Sequence, residues 1–151
     1  CLRREAARSA DTRLLHVRFP AFADIAFYFK DEASHPTGSL KHRLARSLFL
    51  YALCNGRLRE GQGAIDASSG STAISEAWFA RLLGVAFTAV MPDCTAPAKV
   101  RLIRSLGAMC VLVPTGMDAS AVARGNAPLT RTSIRSSVSR PPPPPQQKVD
   151  S

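Results

Sequence analysis

Residues 64–93 read AIDASSGSTAISEAWFARLLGVAFTAVMPD, and the fold turns on them. A short apolar run at 64–67 gives way to a turn of hydroxyls and glycine, Ser68-Ser69-Gly70-Ser71-Thr72. Apolar positions then recur at Ile74, Ala77, Trp78 and Leu82, the spacing of one helix face, and stop at Gly84. Residues 85–91 are apolar with little alternation until Pro92-Asp93 breaks the run. Strand, turn, helix and strand follow one another here. Strands without polar alternation suit a parallel sheet covered on both faces.

The pattern continues in both directions. Pro97 suits the first turn of a helix that reaches Leu106 and stops at Gly107, and residues 108–113 form a further strand. On the N-terminal side, Ile25-Ala26-Phe27-Tyr28-Phe29 is a β-prone run ending in Lys30-Asp31-Glu32. Ser39 then caps a predicted helix over about residues 40–54, whose Leu40, Leu44 and Leu48, with Ala45, Phe49, Ala52 and Leu53, form an apolar face before Asn55-Gly56. The predicted order is β-α-β-α-β-α-β, an α/β protein with a three-layer αβα parallel sheet.

Three segments are expected: a basic, irregular lead-in over 1–24, the α/β domain over 25–114, and a tail over 115–151. In the last, Gly125-Asn126, Pro128, a Thr/Ser/Arg mixture and five prolines at 141–145 replace the periodic pattern. A proline run can adopt polyproline II and dock in an SH3- or WW-type groove, but the commoner reading is a disordered polar tail.

At 151 residues and 46% apolar content the chain has room for one domain with a real core. Its net charge of +9 is divided: 15 Lys/Arg face 10 Asp/Glu in residues 1–119, and five basic side chains face one acid in the remaining 32. Nearly half the excess lies in the tail, and the rest is mixed with acids, which argues against nucleic acid as the partner. The four cysteines (Cys1, Cys54, Cys94, Cys110) show no metal-ligand spacing, and Cys54 and Cys110 read as small buried residues of a reducing compartment. No apolar run is long enough to cross a bilayer, so no membrane partner and a soluble, cytoplasmic protein are expected.

The residues that carry chemistry lie in two turns. Pro36-Thr37-Gly38-Ser39-Leu40-Lys41-His42-Arg43 places Lys41 in the first turn of a helix. Helix macrodipole and unpaired N–H groups there disfavour positive charge and so favour the neutral, nucleophilic amine. Such an amine can form a Schiff base with a carbonyl. The second turn, 68–72, gathers hydroxyls and N–H donors at another helix start, a ready anion site. Both turns are expected after strands, on the ligand-binding edge of one sheet. His42, next to Lys41 on the helix, is expected on the surface or supporting the site, His35 in an exposed loop, Trp78 in the core, and Asp31 with Glu32 at a solvated strand end.

Residues 30–43, the 68–73 turn and the Ser-Leu-Gly-Ala element within 102–114 together resemble the β-family (fold type II) of pyridoxal-phosphate enzymes, and more closely its cysteine synthase and L-cysteine desulfhydrase branch. The resemblance covers about residues 24–114. It implies part of a tryptophan-synthase-β-like fold and pyridoxal 5'-phosphate as cofactor, held covalently by Lys41 as the catalytic lysine. It implies that Ser68, Ser69, Gly70 and Thr72 receive the substrate carboxylate, and that Ser71 stands where the family often has an asparagine touching the cofactor ring. Ala73 replaces a frequent glycine. The implied reaction is β-elimination or β-replacement on cysteine or an O-substituted serine, with Lys41 as base for the α-proton, and the residues do not decide between the two. The family's later half supplies a phosphate-cradling glycine loop and the contact to the pyridine nitrogen. Neither is visible in this sequence, which reads as the N-terminal portion.

Three readings stand at this point: a pyridoxal-phosphate lyase or synthase, an inactive truncated fragment of one, and a basic module for an acidic partner. A partial sheet would leave an edge and an apolar face uncovered, which points to marginal stability or association, for example as a homodimer.

Overall fold

The structure, a computed structural model, describes residues 2–9, 12–125 and 131–133. In chain order these form helix α1 (Leu2–Ser9), strands β1 (Leu14–Val17) and β2 (Phe27–Lys30), helix α2 (Lys41–Cys54), strand β3 (Gly63–Ala67), helix α3 (Ser71–Leu83) and strand β4 (Phe87–Pro92). Helix α4 (Pro97–Ser105), strand β5 (Met109–Val113), helix α5 (Ala119–Gly125) and strand β6 (Arg131–Ser133) complete the order. Strands β5, β4, β3 and β6 lie side by side in that sequence. Every pairing among them is parallel, with Ile65 opposite Thr88 and Val90 opposite Val111.

Because successive strand residues point to opposite faces, β3 and β4 sort their side chains into two cores. Ala64, Phe87, Ala89 and Met91 pack with Ala45 and Phe49 of α2, Ala77 and Phe79 of α3 and Val100 and Ile103 of α4. Ile65, Val90 and Val113 turn the other way and pack with Ala123 of α5. This is the expected αβα arrangement, and cover on both faces is why these strands carry almost unbroken apolar runs. Phe49 and Phe79 are wholly buried, each contributing about 2 kcal/mol through the area withdrawn from water.

Local signals end the elements where the sequence places them. Gly84 adopts φ 69° after α3, and the Val85 N–H donates back to the Ala80 carbonyl at 2.9 Å, a Schellman closure. Pro97 occupies the first turn of α4, where its missing N–H is not needed.

Five expectations are corrected. The run at 25–29 becomes β2, which pairs antiparallel with β1 in a separate two-stranded ribbon rather than opening the parallel sheet. An aromatic, β-prone run serves a ribbon as well as a sheet interior: Phe27 packs edge-on against Phe19 and Phe22, with ring centroids 5.0 and 5.9 Å apart. The lead-in expected to be irregular contains α1 and β1, and Leu2 and Glu5 of α1 are buried. Within the expected tail, α5 covers the second face of the sheet and β6 pairs with β3. Small residues let α5 lie close to the strands, and a seven-residue helix is too short to show a period. The proline run at 141–145 lies outside the described residues. Finally, Cys54 is exposed and Cys110 only half-buried, because the buried stripe of α2 runs through His42, Ala45, Leu48, Phe49 and Ala52. Leu40 and Leu44, expected on the core face, are exposed.

Candidate active site

From β2 the chain passes through a 3-10 turn at Glu32–Ser34 into the loop that ends at Lys41. Gly38 has φ 64°, a conformation glycine adopts without steric cost, and its N–H donates to the His35 carbonyl at 2.7 Å. The Ser39 hydroxyl accepts the Lys41 N–H at 3.2 Å, and the Ser39 carbonyl accepts the His42 N–H at 3.0 Å. Leu40, not Ser39 as expected, is the residue that flanks the helix, and the Ser39 hydroxyl meets only the Lys41 N–H from one position further out. Lys41 is the first residue of α2 and is half-buried. No acidic partner is found for its amine among the described residues.

Three consecutive residues of one helix turn point about 100° apart, and Lys41, His42 and Arg43 use that divergence. His42 goes inward and is fully buried, not at the surface. Its Nε2 lies 3.0 Å from Glu5 Oε1, and its Nδ1 3.2 Å from Thr37 Oγ1. The ring stacks on His35 at 4.9 Å and lies 4.7 Å from Phe79 and 5.0 Å from Trp78, which is half-buried at the edge of the core as its helical position suggests. Burial pushes the His42 imidazole below its usual value, and the Glu5 hydrogen bond opposes this without reversing it. Arg43 goes sideways, donating to Glu32 from Nε at 2.8 Å and from a terminal nitrogen at 3.0 Å.

Glu32 is thus no solvated strand end. Besides Arg43 it accepts the Thr12 hydroxyl at 2.7 Å and lies 2.9 Å from His35 Nε2. The Arg43 hydrogen bond, then that of Thr12, hold its carboxyl at about 2. His35, expected in an exposed loop, is buried beneath this cluster. Lys30 also reaches the Thr12 carbonyl. The loop before Lys41 is therefore clamped to the ribbon and to α1.

The second turn leaves the carboxyl end of β3. The Ser68 N–H extends the ladder by donating to the Val90 carbonyl at 3.0 Å. Ser68 and Gly70 are half-buried, Ser69 and Ser71 exposed, and Thr72 buried. Gly70 flanks α3 with no side chain capping the helix. An uncapped helix start surrounded by hydroxyls presents N–H donors to an anion. Since α3 and α4 cover one face of the sheet and α5 the other, this turn stands where the chain changes sides between β3 and β6, the place where open α/β sheets bind ligands.

The two turns do not share a sheet edge as expected, because β2 lies outside the sheet. They are joined instead through α2 and α3. Thr37 Oγ1 lies 2.9 Å from Ser75 Oγ, and Ser75 Oγ lies 2.9 Å from the Ser71 carbonyl. Ser75 and Glu5 escaped the sequence reading, and Thr37 entered it only as part of the 36–43 motif: Glu5 meets His42 across 37 positions and Thr37 meets Ser75 across 38, separations that no local pattern encodes.

A parallel sheet, a lysine opening one helix and an uncapped, hydroxyl-rich start on the next place the chain in the class of α/β folds with a crevice at the sheet's switch point. Among proteins of that class the chain belongs to the family of pyridoxal-phosphate dependent enzymes, whose model matches residues 9–133. It is 58% identical over 113 residues to L-cysteine desulfhydrase Cds1 of Mycobacterium tuberculosis, covering 72% of this chain and 31% of that protein. It is 38% identical over 89 residues to cysteine synthase of Aquifex aeolicus, covering 59% of this chain and 27% of that one. Among solved structures, a hydrogen sulfide-producing enzyme of Fusobacterium nucleatum superposes with a TM-score of 0.75 at 25% identity, over 82% of this chain and 42% of that chain. O-ureido-L-serine synthase does so with 0.72 at 33% identity, over 77% and 38%. The chain thus spans less than a third of the length of these curated relatives.

Proposed function

We propose that this chain carries the lysine and carboxylate-binding portion of an enzyme that performs pyridoxal-phosphate dependent β-elimination or β-replacement on cysteine or an O-substituted serine, working in the cytoplasm. The observation that carries the reading is Lys41, opening α2 free of any acidic partner among the described residues while α3 begins uncapped on a turn of hydroxyls. The family is pyridoxal-phosphate dependent. The residues present fit the reacting end of such a group: a half-buried amine to bond its aldehyde carbon and donors for an amino acid's carboxylate.

Lys41 would hold the cofactor covalently, and its amine, when free, would remove the substrate α-proton and return it to the departing group. The backbone N–H groups and hydroxyls of Ser68, Ser69, Gly70 and Thr72 orient the substrate carboxylate at the start of α3. Ser71, exposed at the same helix start, would be the residue to touch the cofactor ring, where the family often has an asparagine. The cofactor, when bound, supplies the electron sink that makes the α-proton removable. With cysteine and water the balanced outcome is pyruvate, ammonia and hydrogen sulfide; addition of a thiolate instead yields a new β-substituted alanine. The partners are a small amino acid and, for the apolar surface at Leu40, Leu44, Tyr28 and Phe29, either further structure of the kind the longer relatives possess or a second copy of the chain.

Titrating the chain with pyridoxal phosphate tests the reading. A visible absorbance band that disappears in Lys41→Ala is expected, together with sulfide and pyruvate release from cysteine in the intact chain only. Lack of the band in the unaltered chain removes the cofactor role.

A further inference from the structure

We propose that His42 is a positioning residue for the Lys41 site: with Glu5 it sets the direction of a hydrogen-bond chain through Thr37 to Ser75 that docks the lysine-bearing loop onto the first turns of α3. The proposal rests on the preceding reading for its consequence in catalysis, but its geometry stands without it.

The direction follows from counting protons. A carboxylate only accepts, so Nε2 of His42, 3.0 Å from Glu5, carries the hydrogen. The ring lies wholly buried among Phe79, Trp78 and the parallel ring of His35, surroundings that favour its neutral form, and burial lowers its proton affinity accordingly. In the neutral form Nδ1 is bare and accepts the single proton of Thr37 at 3.2 Å. Thr37 Oγ1, having given up its proton, must then accept at its 2.9 Å contact with Ser75. Ser75 also donates to the Ser71 carbonyl at 2.9 Å, so its one proton is shared between that carbonyl and Thr37. The order is Ser75 to Thr37 to His42 to Glu5. The opposite tautomer would need a protonated Glu5 and would turn each hydroxyl the other way.

The chain bears on Lys41 because Thr37 opens the turn that ends there. From Thr37, the Gly38 N–H bond to His35 and the Ser39 hydroxyl bond to the Lys41 N–H lead directly into α2. His42 anchors Thr37 from within that helix and Ser75 anchors it from α3, next to the turn proposed to take the carboxylate. Releasing Thr37 frees the loop between the two helix starts while leaving the aromatic core untouched.

The test uses the whole chain, without cofactor first. Nitrogen-15 NMR of His42 is expected to report the Nε2–H tautomer; the Nδ1–H tautomer overturns the proposal. Thr37→Val keeps the shape and removes the hydroxyl, and is expected to lower hydrogen-exchange protection of the Lys41 and His42 amides by about tenfold, the scale of one lost hydrogen bond. Thr37→Ser is expected to retain it. Unchanged protection in Thr37→Val, or an equal loss across the whole chain, overturns the proposal. With pyridoxal phosphate added, Thr37→Val is expected to weaken the Lys41-dependent band about tenfold relative to Thr37→Ser. Absence of any band in the parent chain defeats the proposed function, whereas the tautomer and exchange results still decide the role of His42.

Discussion

At the scale of single residues, position 32 shows how little a carboxylate's neighbours in sequence reveal about its work. Glu32 gathers Arg43, Thr12 and His35, and its carboxyl is held at about 2 against an ordinary 4.5, first by the Arg43 hydrogen bond. A depressed carboxyl stabilises the fold above its unfolded value, and that contribution is lost as pH falls through its folded value. Thermal unfolding followed by circular dichroism is therefore expected to show stability full above about 4.5 and declining toward about 2. Glu32→Gln should flatten that limb and lower stability near neutrality. A variant whose profile matches the parent would show that the cluster does not support the loop. Lys41, by contrast, was legible from sequence, since a glycine turn, a serine and a lysine define a helix start locally. What could not be read was the inward turn of His42 next to it, because a histidine on a helix carries no mark of which neighbour will bury it.

Among the elements, α3 does the most positioning: its start carries the hydroxyl turn, its second turn receives Thr37, and its apolar face meets α2, α4 and the sheet. Phe79 is its central contact, wholly buried beside Phe49, His42 and Trp78. Phe79→Ala is expected to cost about 3–5 kcal/mol, read from urea unfolding. A loss below about 1 kcal/mol would mean that α2 and α3 do not share a packed core. The close of α3 tests a smaller effect. Gly84 sits at φ 69° with open space around it, so Gly84→Ala meets only backbone strain and is expected to cost about 1 kcal/mol. Helices α2, α3 and α4 and strands β3, β4 and β5 were readable because each carries its own period, breaker or cap. Strand β2 was readable as a strand but not its antiparallel partner, and β1 and α5 were not readable, being short segments that only their partners stabilise.

Across the whole molecule, the two cores lie on opposite faces of one four-stranded sheet, while Leu14, Phe22, Ile25, Tyr28, Phe29 and Leu40 remain exposed. Apolar surface of that kind favours association. Sedimentation is expected to show larger species as concentration rises, and Tyr28→Ser with Phe29→Ser to reduce them; a monomer at all concentrations would mean that this surface does not associate. The sequence by itself determined the α/β class, the βαβ core, the family and the positions of the two turns proposed to carry chemistry, since each rests on periodicity, capping or a motif read within a few residues. Only the tertiary structure decided how those turns meet. β2 leaves the parallel sheet, so no shared edge joins Lys41 to the hydroxyl turn. Packing of α2 on α3 joins them instead, bringing Thr37 to Ser75, while α1 brings Glu5 to His42, over separations of 38 and 37 residues, because such contacts follow from burial and shape in the assembled core rather than from any local signal in the chain.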